Sequence, residues 1–124
     1  MAVIKTTTIS ALGGTLIVDF DADTSVEPHV TGNTSGTLYL VEIDNTANAT
    51  TSAYLRIKDA QSAGSAGTLV PKWLFVAAPG SKSSYVLPEG QAYGTGLTLW
   101  CSSSNVAENT TAPANAVVVR LIAS

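Results

Sequence analysis

The sequence predicts an all-β protein: a single β-sandwich, jelly-roll-like, with about eight strands. Three observations predict it. Short runs rich in β-branched and aromatic residues recur along the chain. Clusters of Gly, Pro, Asn, Asp and Ser separate them, each favouring turns through free φ, fixed φ or local side-chain bonding. Apolar residues at helical spacing persist nowhere, so no amphipathic helix longer than two turns is expected.

Taken in order, residues 3–9 open with β-branched side chains. Residues 15–20 (Thr-Leu-Ile-Val-Asp-Phe) are apolar and run into an acidic turn, Asp21-Ala-Asp23. A loop over 24–36 carries Pro28, Gly32, Asn33 and Gly36. Residues 37–44 make the best-defined strand. Residues 53–59 alternate, with Ala53, Leu55 and Ile57 on one face and Tyr54, Arg56 and Lys58 on the other. These two runs read as a hairpin or as neighbours. Residues 69–77 are apolar, with Pro71 pointing to an edge or a late start. Residues 83–87 form a short strand that Pro88-Glu-Gly90 is expected to stop. Residues 97–101 alternate, 102–115 is a polar loop, and the Val-rich run 116–122 follows. A strand that apolar wants burial on both faces, or an edge covered by another chain. It and the first strand pair within the monomer or exchange between subunits, ordinary pairing being favoured. No composition break or internal repeat interrupts the chain, so residues 1–124 read as one domain.

Composition narrows the function. Hydrophobic residues make up 45%, enough for a core without disulfides or metals. Charged residues make up only 12%, about half the usual share, which suggests a surface covered by partners. A net charge of -3 and six scattered basic residues leave no phosphate track, so no nucleic acid partner is expected. No apolar run is long enough to span a bilayer, and the first residues lack the pattern of a secretory signal. Assembly in a cytoplasm is therefore expected. The sequons at Asn33, Asn48 and Asn109 read as loop composition rather than glycosylation sites.

No catalytic constellation emerges, and no enzyme activity is expected. The single histidine, His29, lies in a loop beside Pro28, and no nucleophile elbow is present. Cys101 alternates with Leu97 and Leu99 and should point into the core. One His and one Cys cannot form a structural zinc site, and no cofactor site is expected. Asp19, Asp21 and Asp23 have the alternation of a calcium-loop start. The sixth and twelfth positions are Thr24 and Val30 rather than Gly and Glu. A solvated acidic turn is the default there, with weak calcium binding left open. Gly94-Thr-Gly96 lacks the rest of a phosphate-binding loop. Among the aromatics, Tyr54 is the candidate exposed contact, and Trp73 and Trp100 are expected in the core. The loops 24–36 and 102–115 are the candidate contact surfaces.

From about residue 37 onward, the order of motifs resembles small β-sandwich virion proteins of tailed bacteriophages. It is carried by Leu-Tyr-Leu-Val-Glu-Ile-Asp-Asn-Thr (38–46), Ala-Tyr-Leu-Arg-Ile-Lys-Asp-Ala (53–60) and Gly-Thr-x-x-Pro (67–71). Pro-Gly (79–80), Pro-Glu-Gly (88–90), Tyr-Gly-Thr-Gly-Leu (93–97) and Asn-Thr-Thr-Ala-Pro-Ala (109–114) follow, before the Val-rich strand. The resemblance implies a non-enzymatic virion component, foremost a capsid decoration or cement protein that bridges capsid subunits. A neck, tail or fibre-base part, or a carbohydrate-binding attachment module, is the alternative. The implied partners are further copies of the chain, with a trimer favoured by capsid three-fold positions, and the major capsid protein or other virion proteins. The resemblance transfers no functional residues.

Overall fold

The computed structural model describes residues 3–7, 14–62, 64, 70–105 and 111–124, the first of these stretches by backbone alone. Among the described residues, eight strands run in order: β1 (Val3–Thr7), β2 (Thr15–Ala22), β3 (Gly36–Asp44), β4 (Ala53–Asp59), β5 (Trp73–Ala77), β6 (Lys82–Tyr93), β7 (Leu97–Ser102) and β8 (Val117–Ala123). They form a five-stranded antiparallel sheet, β1-β2-β8-β3-β6, and a three-stranded one, β5-β4-β7. The two sheets make a β-sandwich.

The pairings are nested. β2 pairs with β8, β3 with β6 and β4 with β5. Between the first two of these, the segment 23–30 runs beside β7. Glu27 and Leu99 exchange backbone bonds of 2.8 and 3.0 Å, and the Val30 N–H donates to the Leu97 carbonyl at 2.8 Å. The chain is thus one long antiparallel ribbon. Rolled up, it brings β8 against β3 and β4 against β7. That winding is a jelly roll. A jelly roll ordinarily divides eight strands between two four-stranded sheets. The small sheet has only three because 23–30 keeps a single bridge to β7. His29 lies at φ 52°, outside the extended region, and ends the pairing there. The large sheet gains β1 at its edge.

The core lies between the sheets. Leu121, Val119 and Val117 alternate inward from β8, meeting Leu55 and Ile57 of β4 and Leu97 and Leu99 of β7, all fully or almost fully buried. β8 is interior, between β2 and β3, which accounts for its apolar character through pairing within the chain.

Two sequence-based expectations change. The β3 and β4 runs are not hairpin partners but lie in different sheets. Asn45 and Asn48 hold the connection. The Asn45 Nδ2 donates to the Thr51 carbonyl at 2.8 Å, and the Asn48 Nδ2 donates to Asn45 Oδ1 at 2.9 Å and to the Asn115 carbonyl at 3.0 Å. Side chains replace the backbone pairing that a hairpin would provide. Second, β6 does not stop at Pro88 but continues to Tyr93. Its edge position lets a proline sit without costing a ladder bond. Leu38 pairs with Gln91 and Leu40 with Val86, so a bulge absorbs residues 87–90. Gly90, at φ 74°, turns the bulge back against Thr37 and the Tyr39 ring. The expected strand over 69–77 begins at Trp73, while residues 65–69 lie outside the described residues, as do Thr8 and Ile9 of the first.

Candidate functional site

The residues singled out for chemistry are held in scaffold roles. Cys101 is fully buried in the core, as its alternation predicted. Burial pushes its thiol up to about 12, which leaves almost no thiolate near neutrality. His29 is half-buried, and its backbone N–H is held by Thr98 Oγ1 at 3.2 Å.

The acidic run is not a solvated turn. β2 continues to Ala22, and Asp19 is 1% exposed, on the same side of the strand as Ile17. Its Oδ1 accepts the Asp21 N–H at 3.1 Å, while Oδ2 is buried without a partner. Desolvation, opposed by that hydrogen bond, raises the Asp19 carboxyl to about 6. Asp21 is exposed, and Asp23 is half-buried in the next segment. Among the described residues, no three His, Cys, Asp or Glu side chains converge as a metal-binding group.

Gly94-Thr-Gly96 does bind an anion, but one that the chain supplies. The N–H groups of Gly94, Thr95 and Gly96 donate to the Asp59 carboxylate at 2.9, 2.7 and 3.1 Å. Successive amides converging on a carboxylate form a nest. Sequence reasoning set this segment aside. No local signal could have found it, because Asp59 and the Gly94-Thr-Gly96 turn are far apart in sequence and only the pairing of Asp59 with Leu97 brings them together.

Arg56 departs furthest from expectation. Alternation placed it on a polar face with Tyr54 and Lys58, yet it is fully buried. Its guanidinium bonds Ser102 Oγ and the Ser104 carbonyl, so the chain leaving β7 lies over the outer side of the small sheet. Trp100, its register partner on β7, is fully buried on that same outer side rather than between the sheets. Tyr54 is half-buried, not freely exposed. Trp73 packs partly buried against the core. The Tyr85 hydroxyl takes the Val76 N–H at 3.3 Å and donates back to the Val76 carbonyl, tying β6 to β5.

The two candidate contact loops are also partly absorbed. Segment 23–30 pairs with β7, and the start of 102–115 covers Arg56, with 106–110 outside the described residues. Asn48, one of the sequons, is 3% exposed with its amide engaged, so it offers no acceptor nitrogen in the folded chain. Asn33 is exposed, and Asn109 lies outside the described residues.

Apolar side chains also reach the surface, partly buried or exposed. On the outer side of the large sheet, Leu16 of β2 stands opposite Ile122 of β8, Ile122 opposite Leu40 of β3, and Leu40 opposite Val86 of β6. Directly paired residues share a face, so these four form one row across four strands. Val86 is 67% exposed, and Phe20, further along β2, is 45% exposed. In the next row Arg120 pairs with Glu42 at 3.0 Å, and Lys82 reaches the same carboxylate at 3.8 Å. The outer side of the small sheet adds Leu74 and Val76 on β5, 47% and 39% exposed. Beside the bulge in β6, Leu87, Pro88, Glu89 and Gly90 line an open depression of about 400 Å³. Compared with family models, with curated proteins and with solved structures, the chain matches none.

Proposed function

We propose that this protein is a non-enzymatic structural component of a tailed-bacteriophage particle, acting as a capsid decoration or cement protein. The observation that carries the reading is apolar side chains exposed on the outer faces of both sheets: Val86 and Phe20 on one, Leu74 and Val76 on the other. Exposed apolar surface on two opposite faces, in a chain with 12% charged residues, suits a subunit covered from more than one side. A jelly roll supplies a rigid body for this. Its partners would be further copies of itself and the major capsid protein, and its place the virion, reached by assembly in the host cytoplasm. Many modest contacts, repeated over a shell, then add through avidity.

Quantitative mass spectrometry of purified particles tests the reading. Hundreds of copies, in a simple ratio to the major capsid protein, are expected. A handful of copies would move the protein to the neck, tail or fibre base. Complete absence from particles would overturn the virion assignment.

A further inference from the structure

The outer face of the large sheet is complementary to itself. β2, β8, β3 and β6 lie side by side in that order. A two-fold axis parallel to the strands, midway between β8 and β3, exchanges β8 with β3 and β2 with β6. Place a second copy on the face about this axis. In the apolar row, Ile122 then lies over the second copy's Leu40, and Leu16 over its Val86. In the neighbouring row, Arg120 lies over the second copy's Glu42, and Glu42 over its Arg120, because these two are register partners on the exchanged strands. Each copy already pairs the two at 3.0 Å. Stacking therefore builds a quartet of alternating charge instead of setting like charges together.

We infer that this face is a two-fold interface with a second copy of the chain. Sheets stacked face to face at about 10 Å are the ordinary way to bury such a row. A contact in which each residue meets the same patch on its mate is the commonest closed symmetry. Electrostatics point the same way. Among the register-paired outer positions of β8, β3 and β6, Arg120 and Lys82 balance Glu42 and Asp44, while the chain as a whole carries -3. Two copies thus meet here without the repulsion their net charge imposes elsewhere. The symmetry is two-fold, whereas capsid three-fold positions suggested a trimer. The small sheet's Leu74 and Val76 are left for a different neighbour. The inference deepens the assembly reading and rests on it in taking the face to be covered.

Sedimentation equilibrium of the full chain across a concentration series tests it, with circular dichroism confirming that each variant is folded. Wild type is expected to dimerise, and Ile122→Lys to weaken the dimer on the order of a hundredfold. Val76→Asp, on the small sheet, should leave it unchanged. The decisive experiment mixes two variants. Glu42→Arg alone and Arg120→Glu alone each set like charges across the axis, so each should be monomeric where wild type is dimeric. Mixed together they restore both cross-axis pairs, and a heterodimer should form. A monomeric wild type, an Ile122→Lys protein that still dimerises, or a mixture that stays monomeric would each overturn the interface. None of these results bears on particle copy number, which tests the virion assignment separately.

Discussion

Two aspartates near opposite ends of β7 show how position decides what a carboxylate does. Asp59 pairs with Leu97, where β7 begins, and receives three backbone N–H bonds. Asp19 lies near the other end, beside the segment whose Asp23 carbonyl takes the Cys101 N–H at 2.7 Å. It receives one such bond and leaves an oxygen buried without a partner. For Asp59, desolvation works upward but the three amides outweigh it, and the carboxyl is held below its ordinary value. For Asp19, desolvation wins and the carboxyl rises to about 6. One aspartate fastens a turn to a strand, while the other burdens the fold when ionised. Hydrogen-bond supply, more than burial alone, separates them.

The largest expected effect tests whether the Asp19 end is closed to solvent. Cys101 is buried there, with its thiol pushed up to about 12. Alkylation by iodoacetamide at pH 8 should run on the order of a thousandfold slower in the native protein than in guanidinium. Comparable rates would mean that this end opens freely, and the contrast with the Asp59 rim would vanish.

Next in size is removal of the Asp59 latch. Asp59→Ala strips three donors of their acceptor and should cost about 2 kcal/mol in urea unfolding at pH 7. That is less than three charge-assisted bonds in isolation, because water competes at this rim. The sign with pH follows from the lowered carboxyl. Its stabilisation is present above the unfolded value near 3.8 and fades as pH falls through the folded one. Wild type should lose stability below about pH 4 more steeply than Asp59→Ala. Parallel acid limbs would show that the carboxylate is not what holds the turn.

Asp19 should behave in the opposite sense. Its raised carboxyl means that stability is fullest below the unfolded value of 3.8 and declines as pH rises through about 6. The full shift corresponds to roughly 3 kcal/mol, of which roughly 1–2 kcal/mol is expected because the surroundings of a buried carboxylate relax when it ionises. Asp19→Asn should be more stable than wild type by that margin at pH 8, and the advantage should disappear near pH 4. A variant whose margin stays constant with pH would assign the effect to packing instead of ionisation.

These two carboxylates also mark where sequence reading stops. All eight strands were legible, because alternation and turn residues are local properties. Cys101 was legible for the same reason, since Leu97 and Leu99 fix its face. Arg56 was not. Its alternation reads as polar-out, and only the return of the chain at Ser102 and Ser104 buries it. Asp19 escaped similarly. Three acids in five residues look like a turn, while the pairing of Asp19 with Val119 and Val3 that holds it in the sheet is non-local. The apolar row on the large sheet is harder still. Leu16, Leu40, Val86 and Ile122 are unremarkable one by one, and only the register joins them.

The smallest expected effect isolates what the nest contributes from what a nearby charge contributes. Lys72 lies 3.9 Å from Asp59, and its side chain is 55% exposed. Exposed pairs at that distance contribute little, because water screens the attraction and ordering a lysine costs entropy. Lys72→Ala should therefore change stability by no more than about 0.5 kcal/mol, with less effect still in 1 M salt. The amides differ from the lysine in that the turn already fixes them in place, so accepting from them costs no further side-chain ordering. If Lys72→Ala instead approached the cost of Asp59→Ala, the carboxylate would be held by charge and not by the turn, and the distinction between the two aspartates would come down to one neighbouring cation.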